Sequence, residues 1–328
     1  MSEELATSIA RVLVDRGVVP VGTAVEGLRR LSGGASRETW AFGISETGPA
    51  HHRLHGMILQ RERPGGPRAG PGMASEAVLL RAAEAAGVPV PEVLATDEGG
   101  DELGAPFVIS RAVPGETIPR KLLRDPELDD VRARLARDCG RILAGIHSVP
   151  VDSVRSVLTE PDQLEQFRAL LDALGEPHPA FELGFRWLDR HRRDVVPTAL
   201  VHGDFRNGNL IIGPDGVRAV LDWELAHLGD PIEDLGWFCV RAWRFGSPNR
   251  AGGFGSAEEL LAGYAEGGGA EVSFETLRWW EVMGTLKWGV MCMIQAMTHL
   301  GGASRSVELA AIGRRTCENE WDLLELIS

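Results

Sequence analysis

Three polar residues in the middle of the chain have types and spacing that suit phosphoryl transfer. Asp204 and Asn209 lie five residues apart in the segment HGDFRNGN, and Asp222 follows in VLDWE. Carboxylate and amide oxygens are good ligands for Mg²⁺, which takes few protein ligands and leaves room for phosphate oxygens. Asn209 and Asp222 could hold the metal while Asp204 accepts a proton from an attacking hydroxyl group. This is the layout of kinase-type phosphoryl transfer, in which positioning and charge neutralisation carry the catalysis.

The segments around these residues predict how they are brought together. Leu200 and Val201 form the apolar end of a strand, so the residues that follow leave the core at a turn. The segments NLIIG and VRAVLDW flank a Pro-Asp-Gly turn and predict a β-hairpin. The hairpin returns the chain and places Asp222 next to Asn209, although the two are 13 residues apart.

Other polar residues in this stretch allow more than one role. Arg206 could neutralise a phosphate or pair with a carboxylate of its own loop. Glu224 could contact the metal or the substrate, or it could make a structural hydrogen bond. Asp230 and Asp234 are expected to cap the next helix and to hold the catalytic loop.

The chain divides into a strand-rich first part and a helix-rich second part. In the first part the patterns predict helices over 5–16 and 74–86 and strands over 28–31, 39–44, 56–61 and 106–110. In the second part they predict helices over 127–147, 161–174 and 179–193, with mostly helical chain after 231. This order of elements indicates an α+β protein.

These motifs together resemble the aminoglycoside phosphotransferase-like kinases, the phosphotransferase enzyme family. HGDFRNGN is similar to the HGDxxxxN motif of that family, and VLDWELAHLGDPIEDLGW is similar to the motif that follows it. The resemblance covers most of the chain, from SGGASRETW near the start to the C-terminal side of the central motifs. In detail, the chain resembles the branch that includes kinase-like domains fused to some acyl-CoA dehydrogenases.

The resemblance implies a two-lobed protein-kinase-like fold, with a small β-sheet N-lobe and a larger, mainly helical C-lobe. Residues 1–109 would form the nucleotide-binding N-lobe. Residues 110–328 would form the C-lobe, with the hinge, the catalytic loop, the metal site and the acceptor pocket.

The resemblance also implies a role for each residue of the central motifs. Asp204 would be the catalytic base, with Arg206 beside it, and Asn209 and Asp222 would be the Mg²⁺ ligands. His202 would brace the catalytic loop without touching the substrate.

The N-lobe would hold the nucleotide in three places. The small residues that would let backbone N–H groups approach a phosphate are Gly33, Gly34 and Ser36. Glu76 matches the helix glutamate that pairs with a strand-three lysine in kinases. Backbone groups of the hinge near Ser110 and Ala112 would hold adenine.

The strand-three lysine is missing from this N-lobe. The chain has two lysines, Lys121 and Lys287, among 34 basic residues, so the first 120 residues contain none. Codon bias in a GC-rich genome accounts for this composition. We expect Arg61, or else Gln60, to substitute for the lysine, because an arginine can bind both a phosphate and a glutamate. Neighbouring strand residues face opposite sides, so only one of the two can point into the cleft.

The composition excludes some partners and locations. A net charge of −13 argues against general binding of nucleic acid, which needs a basic face. Four widely spaced cysteines without a CxxC motif fit a reducing compartment. The acidic, periodic start is unlike a signal peptide, and the apolar stretch 279–297 carries charges that a membrane span would rarely contain. We therefore expect a cytoplasmic protein.

The preferred function is a Mg²⁺-dependent transfer of the γ-phosphate of ATP or GTP to a hydroxyl group of a small molecule. Nine tryptophans against one tyrosine suggest large apolar surfaces, which would suit a lipophilic, acyl- or CoA-linked alcohol as acceptor. The candidate lining residues are Trp237, Trp243, Tyr264, Trp279, Trp280, Lys287, Trp288 and the methionine-rich stretch MCMIQAM at 291–297. The oligomeric state is left open, a homodimer included.

Two other functions remain as alternatives. The missing lysine motivates a pseudokinase that binds nucleotide without catalysis. A metallohydrolase could instead use His202, Asp204, His227 and Asp230, although these residues lack a tight ligand spacing and leave Asn209 without a role.

Overall fold

The first part of the chain forms a five-stranded antiparallel sheet. The computed structural model describes residues 2–31, 37–45, 56–62, 72–193 and 196–328. The strands lie in the order β1, β2, β3, β5, β4. Their bounds are Ala24–Arg30 for β1, Arg37–Ser45 for β2, Met57–Glu62 for β3, Val93–Asp97 for β4 and Phe107–Arg111 for β5.

Helices cover both faces of this sheet. Helix α1 (Ser2–Asp15) buries Ile9, Val12 and Leu13, which recur at helical spacing, against strand residues such as Leu59 and Phe107. Helix α2 (Met73–Ala85) packs on the opposite face, where its residues meet Val108. Because strand residues alternate between faces, the sequence of each strand decides which side chains turn towards α2.

The rest of the chain is mainly helical. Its helices are α3 (Pro119–Leu122), α4 (Asp129–His147), α5 (Val151–Val154), α6 (Gln163–Leu174), α7 (Pro179–Arg190), α8 (Ile232–Cys239), α9 (Ala257–Glu266), α10 (Phe274–Leu300), α11 (Val307–Gly313) and α12 (Thr316–Ile327). The predicted division at residue 109 falls inside β5 and stays a prediction. Across the described residues, no helix has the length and apolar run needed to cross a bilayer.

Helices α4 and α9 approach each other closely because glycines lie at their contact. A Cβ atom added to Gly263 would lie 1.9 Å from the carbonyl oxygen of Arg137, and one added to Gly140 would lie 2.2 Å from that of Leu260. Any side chain there would force the helices apart. This packing fixes α4, whose last residue, His147, contacts Asp234, and Asp234 in turn holds the catalytic loop.

Two short antiparallel pairs of strands carry the central motifs. Strand β6 (Ala199–Val201) pairs with β9 (His227–Gly229), and β7 (Leu210–Gly213) pairs with β8 (Gly216–Val220). The predicted hairpin is confirmed, with its turn at residues 214 and 215. The catalytic loop therefore follows the end of β6, and the segment that carries Asp222 follows the end of β8.

Candidate active site

Asp204 lies in the loop after β6 and receives three side-chain donors. Trp237 donates its Nε1–H to Oδ1 at 3.0 Å, and Asn209 donates its amide to Oδ2 at 2.7 Å. The Nε–H of Arg206 approaches both oxygens, at 3.0 and 3.2 Å. Asp204 is 8% exposed, so these donors fix the direction from which a substrate hydroxyl could reach its carboxylate.

Arg206 pairs with a carboxylate of its own loop, one of the two roles left open by the sequence. Its guanidinium also lies over the ring of Trp243, 4.7 Å from the centroid. Trp243 in turn contacts Trp237 and Trp288. Arg206 is therefore held between Asp204 and a cluster of tryptophan rings.

His202 braces the catalytic loop, as the family resemblance implied. Its Nε2–H donates to the carbonyl oxygen of Leu221 at 3.1 Å, and its Nδ1 accepts the backbone N–H of Asp204 at 3.2 Å. Burial lowers the pKa of His202, so its neutral form is favoured. The imidazole thereby links the loop to the end of the hairpin.

Asp234 on α8 holds the same loop from the other side. Its carboxylate accepts the backbone N–H groups of His202 and Gly203 at 2.8 and 2.9 Å, and it lies 3.1 Å from Nε2 of His147. Burial favours the neutral acid, yet His147, with its hydrogen bond and charge, and His202 outweigh burial and lower the pKa of Asp234. Asp230 accepts the N–H of Ile232 at the start of α8. Both aspartates thus have the capping and bracing roles predicted for them.

The hairpin brings Asn209 and Asp222 to the same place. Leu210 pairs with Val220, and the N–H of Leu221 donates to the carbonyl oxygen of Asn209 at 2.8 Å. Because the amide of Asn209 is directed at Asp204, its Oδ1 is the atom left for a cation. Among the described residues, no group of three or more His, Cys, Asp and Glu side chains is arranged to hold a metal ion. A site here would therefore use few protein ligands, as Mg²⁺ does.

Asp222 has an unusual backbone and a crowded environment. Its φ is 65°, in the left-handed region that aspartate and asparagine tolerate better than most residues. Burial, together with the charges of Glu224, Asp204 and Glu76, raises the pKa of Asp222 to about 7. The carboxylates converge here with few opposing charges, which is an environment that favours a bound cation.

Glu76 on α2 is paired with Arg37 and not with Arg61. The Nη1 of Arg37 donates to Oε2 of Glu76, and both side chains are buried. The Nε of Arg37 lies 3.8 Å from Oε2 of Glu224. Although its partner Arg37 favours the charged form, burial outweighs this and raises the pKa of Glu76. The sequence did not predict the role of Arg37, because the residue that replaces the missing lysine was expected on strand three.

The expectation that Arg61 pairs with Glu76 is wrong, and strand alternation gives the reason. Arg61 pairs across the sheet with Glu38 and Phe107, and Phe107 packs on the α1 face. The Nε–H of Arg61 donates to Glu38 at 2.8 Å and one Nη donates to the carbonyl oxygen of Leu103 at 2.9 Å. Gln60 pairs with Val108, on the α2 face, and Arg37 shares that face.

The remaining N-lobe predictions are only partly reached by the structure. Gly33, Gly34 and Ser36 lie outside the described residues. At the hinge, the backbone N–H of Ala112 donates to the carbonyl oxygen of Gly56 at 2.9 Å, and the backbone N–H of Arg111 donates to the carbonyl oxygen of Glu92 at 2.9 Å. Ser110 is buried within β5. Adenine binding near Ser110 and Ala112 stays a prediction, and it would have to use other backbone groups than these two N–H groups.

Lys287, a candidate lining residue of the acceptor pocket, has a different position in the structure. Its ammonium group is buried, donating to the carbonyl oxygen of Gly203 at 3.1 Å and to Glu233 at 3.0 Å, and it lies 4.8 Å from the ring centroid of Trp237. It supports the catalytic loop from within the core. The scarcity of lysine in this sequence was the one signal that could have pointed to a special role for Lys287.

Most other candidate lining residues belong to the core. Tyr264 contacts His147, Trp279 donates to the carbonyl oxygen of Leu188, and Trp280 donates to Asp230. The metallohydrolase alternative also loses support, because the Nε2 of His227 is engaged by Glu233 and Gln163 at 3.0 Å each.

An open groove of about 810 Å³ lies beside the catalytic loop instead. Its lining residues are Ile118, Pro119, Arg120, Arg241, Ala242, Phe245, Gly246, Arg315, Glu318, Trp321 and Asp322. Ala242 precedes Trp243, the ring that carries Arg206, and Pro119 lies next to Gly208 of the loop. Trp321 is 64% exposed in this groove, so a large aromatic surface is available there.

Comparison with known proteins agrees with this fold. The chain is 35% identical over 178 residues to acyl-CoA dehydrogenase family member 10 of Mus musculus, a match covering 49% of this chain and 16% of that protein. The chain thus spans only a small part of this relative. Among solved structures, a Ralstonia eutropha protein assigned to the aminoglycoside phosphotransferases superposes with a TM-score of 0.76 at 20% identity, covering 98% of this chain and 97% of its own.

A second solved structure has the same two-lobed fold with ligands bound. Aminoglycoside phosphotransferase APH(4)-Ia, in a ternary complex with AMP-PNP and hygromycin B, superposes with a TM-score of 0.58 at 17% identity and covers 98% of both chains. The α+β, protein-kinase-like fold predicted from the sequence is thereby confirmed. Residues 27–280 match the sequence profile of the phosphotransferase enzyme family. The chain therefore belongs to the phosphotransferase enzyme family.

Proposed function

We propose that this chain is a Mg²⁺-dependent kinase that transfers the γ-phosphate of ATP or GTP to a hydroxyl group of a small molecule. The observation that carries the proposal is the convergence of Asp204, Asn209 and Asp222 at the end of one hairpin. Membership of the phosphotransferase family supports the reaction class. The bound nucleotide analogue of a structural relative supports a nucleotide co-substrate.

The residues present fit a magnesium ion. Asn209 and Asp222 would hold it through oxygen atoms. Glu224 lies two residues from Asp222 and belongs to the same group of carboxylates. When bound, Mg²⁺ supplies neutralisation of the phosphate charge that develops during transfer.

The chain's own residues then position the acceptor. The acceptor oxygen attacks the γ-phosphorus, the bond to the bridging oxygen breaks, and the nucleoside diphosphate leaves with the electron pair. The hydroxyl proton passes to Asp204, whose carboxylate is oriented by Trp237 and Asn209. We assign Arg206 to the catalytic machinery as a positioning residue, because its guanidinium holds the carboxylate of Asp204 before the acceptor binds.

We propose a lipophilic alcohol without positive charge, such as an acyl- or CoA-linked alcohol, as the acceptor. The groove beside the loop has three arginines against two acids, and Arg120 has no ion-pair partner among the described residues. Exposed Trp321 and Ile118 give the groove apolar surface. A polycationic aminoglycoside would need more acidic side chains than this groove offers.

Four free cysteines, three of them buried, fit the proposed cytoplasmic location.

The test is Mg²⁺-dependent phosphate transfer from ATP and GTP to a panel of alcohols that includes hydroxyacyl-CoA compounds and aminoglycosides. We expect transfer to a lipophilic alcohol by the wild type and its loss in Asp204→Asn. Asp215→Asn is the matched control, because Asp215 is an exposed aspartate at the turn of the same hairpin. Equal transfer by wild type and Asp204→Asn would contradict the assignment of the base.

The pseudokinase remains the second candidate. It is favoured by the absence of a lysine from the first 120 residues. Tight nucleotide binding without transfer to any acceptor on the panel, and without hydrolysis, would support it over the kinase.

A further inference from the structure

We propose that Arg37 of β2 binds the nucleotide phosphates and that Glu76 holds it in position, in place of the strand-three lysine of kinases. The inference rests on the proposed function, since it requires a nucleotide in the cleft. It assigns to a different strand, and to a different residue type, the phosphate contact that the lysine makes in kinases.

Burial sets Arg37 apart from the other arginines in the described part of the N-lobe. The residue is 8% exposed, and Glu76, its partner, is 3% exposed. A buried ion pair is costly to desolvate and is weak evidence for a stabilising role. A structural tie between α2 and the sheet could be made by apolar residues at lower cost. The pair is therefore better explained by a need for positive charge in the cleft.

The position of Arg37 brings that charge beside Glu76 and Glu224. It is the first residue of β2 and follows directly on the segment that contains Gly33, Gly34 and Ser36. From there its guanidinium reaches Glu76 on α2 and lies 3.8 Å from Glu224, two residues beyond the proposed metal ligand.

The chemistry of the side chain allows it to hold both groups at once. A guanidinium carries five N–H donors in a planar fork, more than one carboxylate can accept. The 3.8 Å separation from Glu224 is longer than a hydrogen bond, so this contact is electrostatic only. A phosphate oxygen can therefore be bound while the pair with Glu76 is kept.

Arg61 provides a matched control because it has the opposite orientation. It lies on the neighbouring strand, is also paired with a glutamate, and faces α1 instead of the cleft. A general effect of losing one arginine–glutamate pair from this sheet would appear in both variants. An effect on phosphate binding would appear only in the Arg37 variant.

The experiment measures binding of AMP-PNP with Mg²⁺, and of adenosine alone, by calorimetry. We expect Arg37→Met to weaken AMP-PNP binding by about 10-fold or more, because a hydrogen bond to a charged group is lost. Adenosine, which has no phosphate, should bind as it does to the wild type. Arg61→Met should bind AMP-PNP within about 3-fold of the wild type, because no phosphate contact is lost there.

A second variant guards against misfolding of the first. Arg37→Met leaves Glu76 buried without its partner, whereas Arg37→Met with Glu76→Met removes both charges and keeps the volume, a change that buried ion pairs often tolerate. The double variant should show the same selective loss of AMP-PNP binding. If the wild type binds AMP-PNP and both Arg37 variants bind it equally well, the inference about Arg37 is overturned and the proposed function stands. If the wild type binds no nucleotide, the proposed function fails, and the inference with it.

Discussion

At the scale of single residues, the donors around Asp204 decide how well it can act as a base. Three side chains point at one carboxylate, and two of them contact a tryptophan ring: Trp237 contacts Trp243, and Arg206 lies over the same ring. An orienting hydrogen bond of this kind contributes by holding the base in a productive geometry. Trp237 therefore has a function that its burial alone would not reveal.

Replacing Trp237 by phenylalanine should lower kcat by about 10-fold, because the hydrogen bond to Asp204 is lost while the ring is kept. The KM for nucleotide should not change, since Trp237 contacts the catalytic base Asp204. Steady-state kinetics would separate the two effects. Trp243→Phe is the control, because Nε1 of Trp243 has no hydrogen-bond partner in the described part of the chain. A similar fall in kcat for both variants would show that ring packing is what matters.

Asp222 illustrates how a functional residue can work against stability. The Asp222→Asn variant keeps the tolerance for a left-handed backbone and removes one charge from a crowd of carboxylates. We expect it to be more stable than the wild type without Mg²⁺, by about 1 kcal/mol. Its Mg²⁺-dependent turnover should fall by about 100-fold or more, since even residues behind a metal ligand are worth up to that factor.

Thermal unfolding with and without Mg²⁺ would check this prediction. The wild type should gain stability on addition of Mg²⁺ and nucleotide, and Asp222→Asn should gain less. A variant that is less stable than the wild type in the absence of metal would show that Asp222 has a structural role instead.

At the scale of elements, α10 is tied to the catalytic loop by a single buried lysine. Lys287→Met should lower the free energy of unfolding by about 3 kcal/mol or more, because Glu233 loses one of its two partners, the ammonium group, inside the core and keeps His227. The other lysine provides the comparison: Lys121 forms an exposed pair with Glu116, and Lys121→Met should change stability by less than about 1 kcal/mol. Urea unfolding of the two variants would measure both effects, and equal losses would contradict this account.

At the same scale, local patterns predicted some elements better than others. The hairpin of β7 and β8 followed from its turn and apolar strands, and α4 followed from its helical spacing. The partner of Glu76 could not be read in the same way. It depends on which face of β2 meets α2, a tertiary relation that spacing within one strand does not contain.

At the scale of the whole molecule, the central motifs were predictable and the acceptor side was not. Asp204, Asn209 and Asp222 lie close together in sequence and are joined by one hairpin, so their convergence is a local event. The groove is assembled from α3, the segment after α8, and α12, which are separated by more than a hundred residues in places. Trp321, its most exposed aromatic residue, was not among the predicted lining residues.

The distribution of primary amines has a consequence for how this protein could be detected. Nucleotide analogues that acylate amines label a protein only where an amine meets the bound phosphates, and a guanidinium, which stays protonated, does not react in this way. Here Lys287 is buried and Lys121 lies on α3 outside the N-lobe, so the described cleft offers no reactive amine to such a probe. A survey of kinases that relies on lysine labelling would pass over this chain even when its cleft is fully occupied.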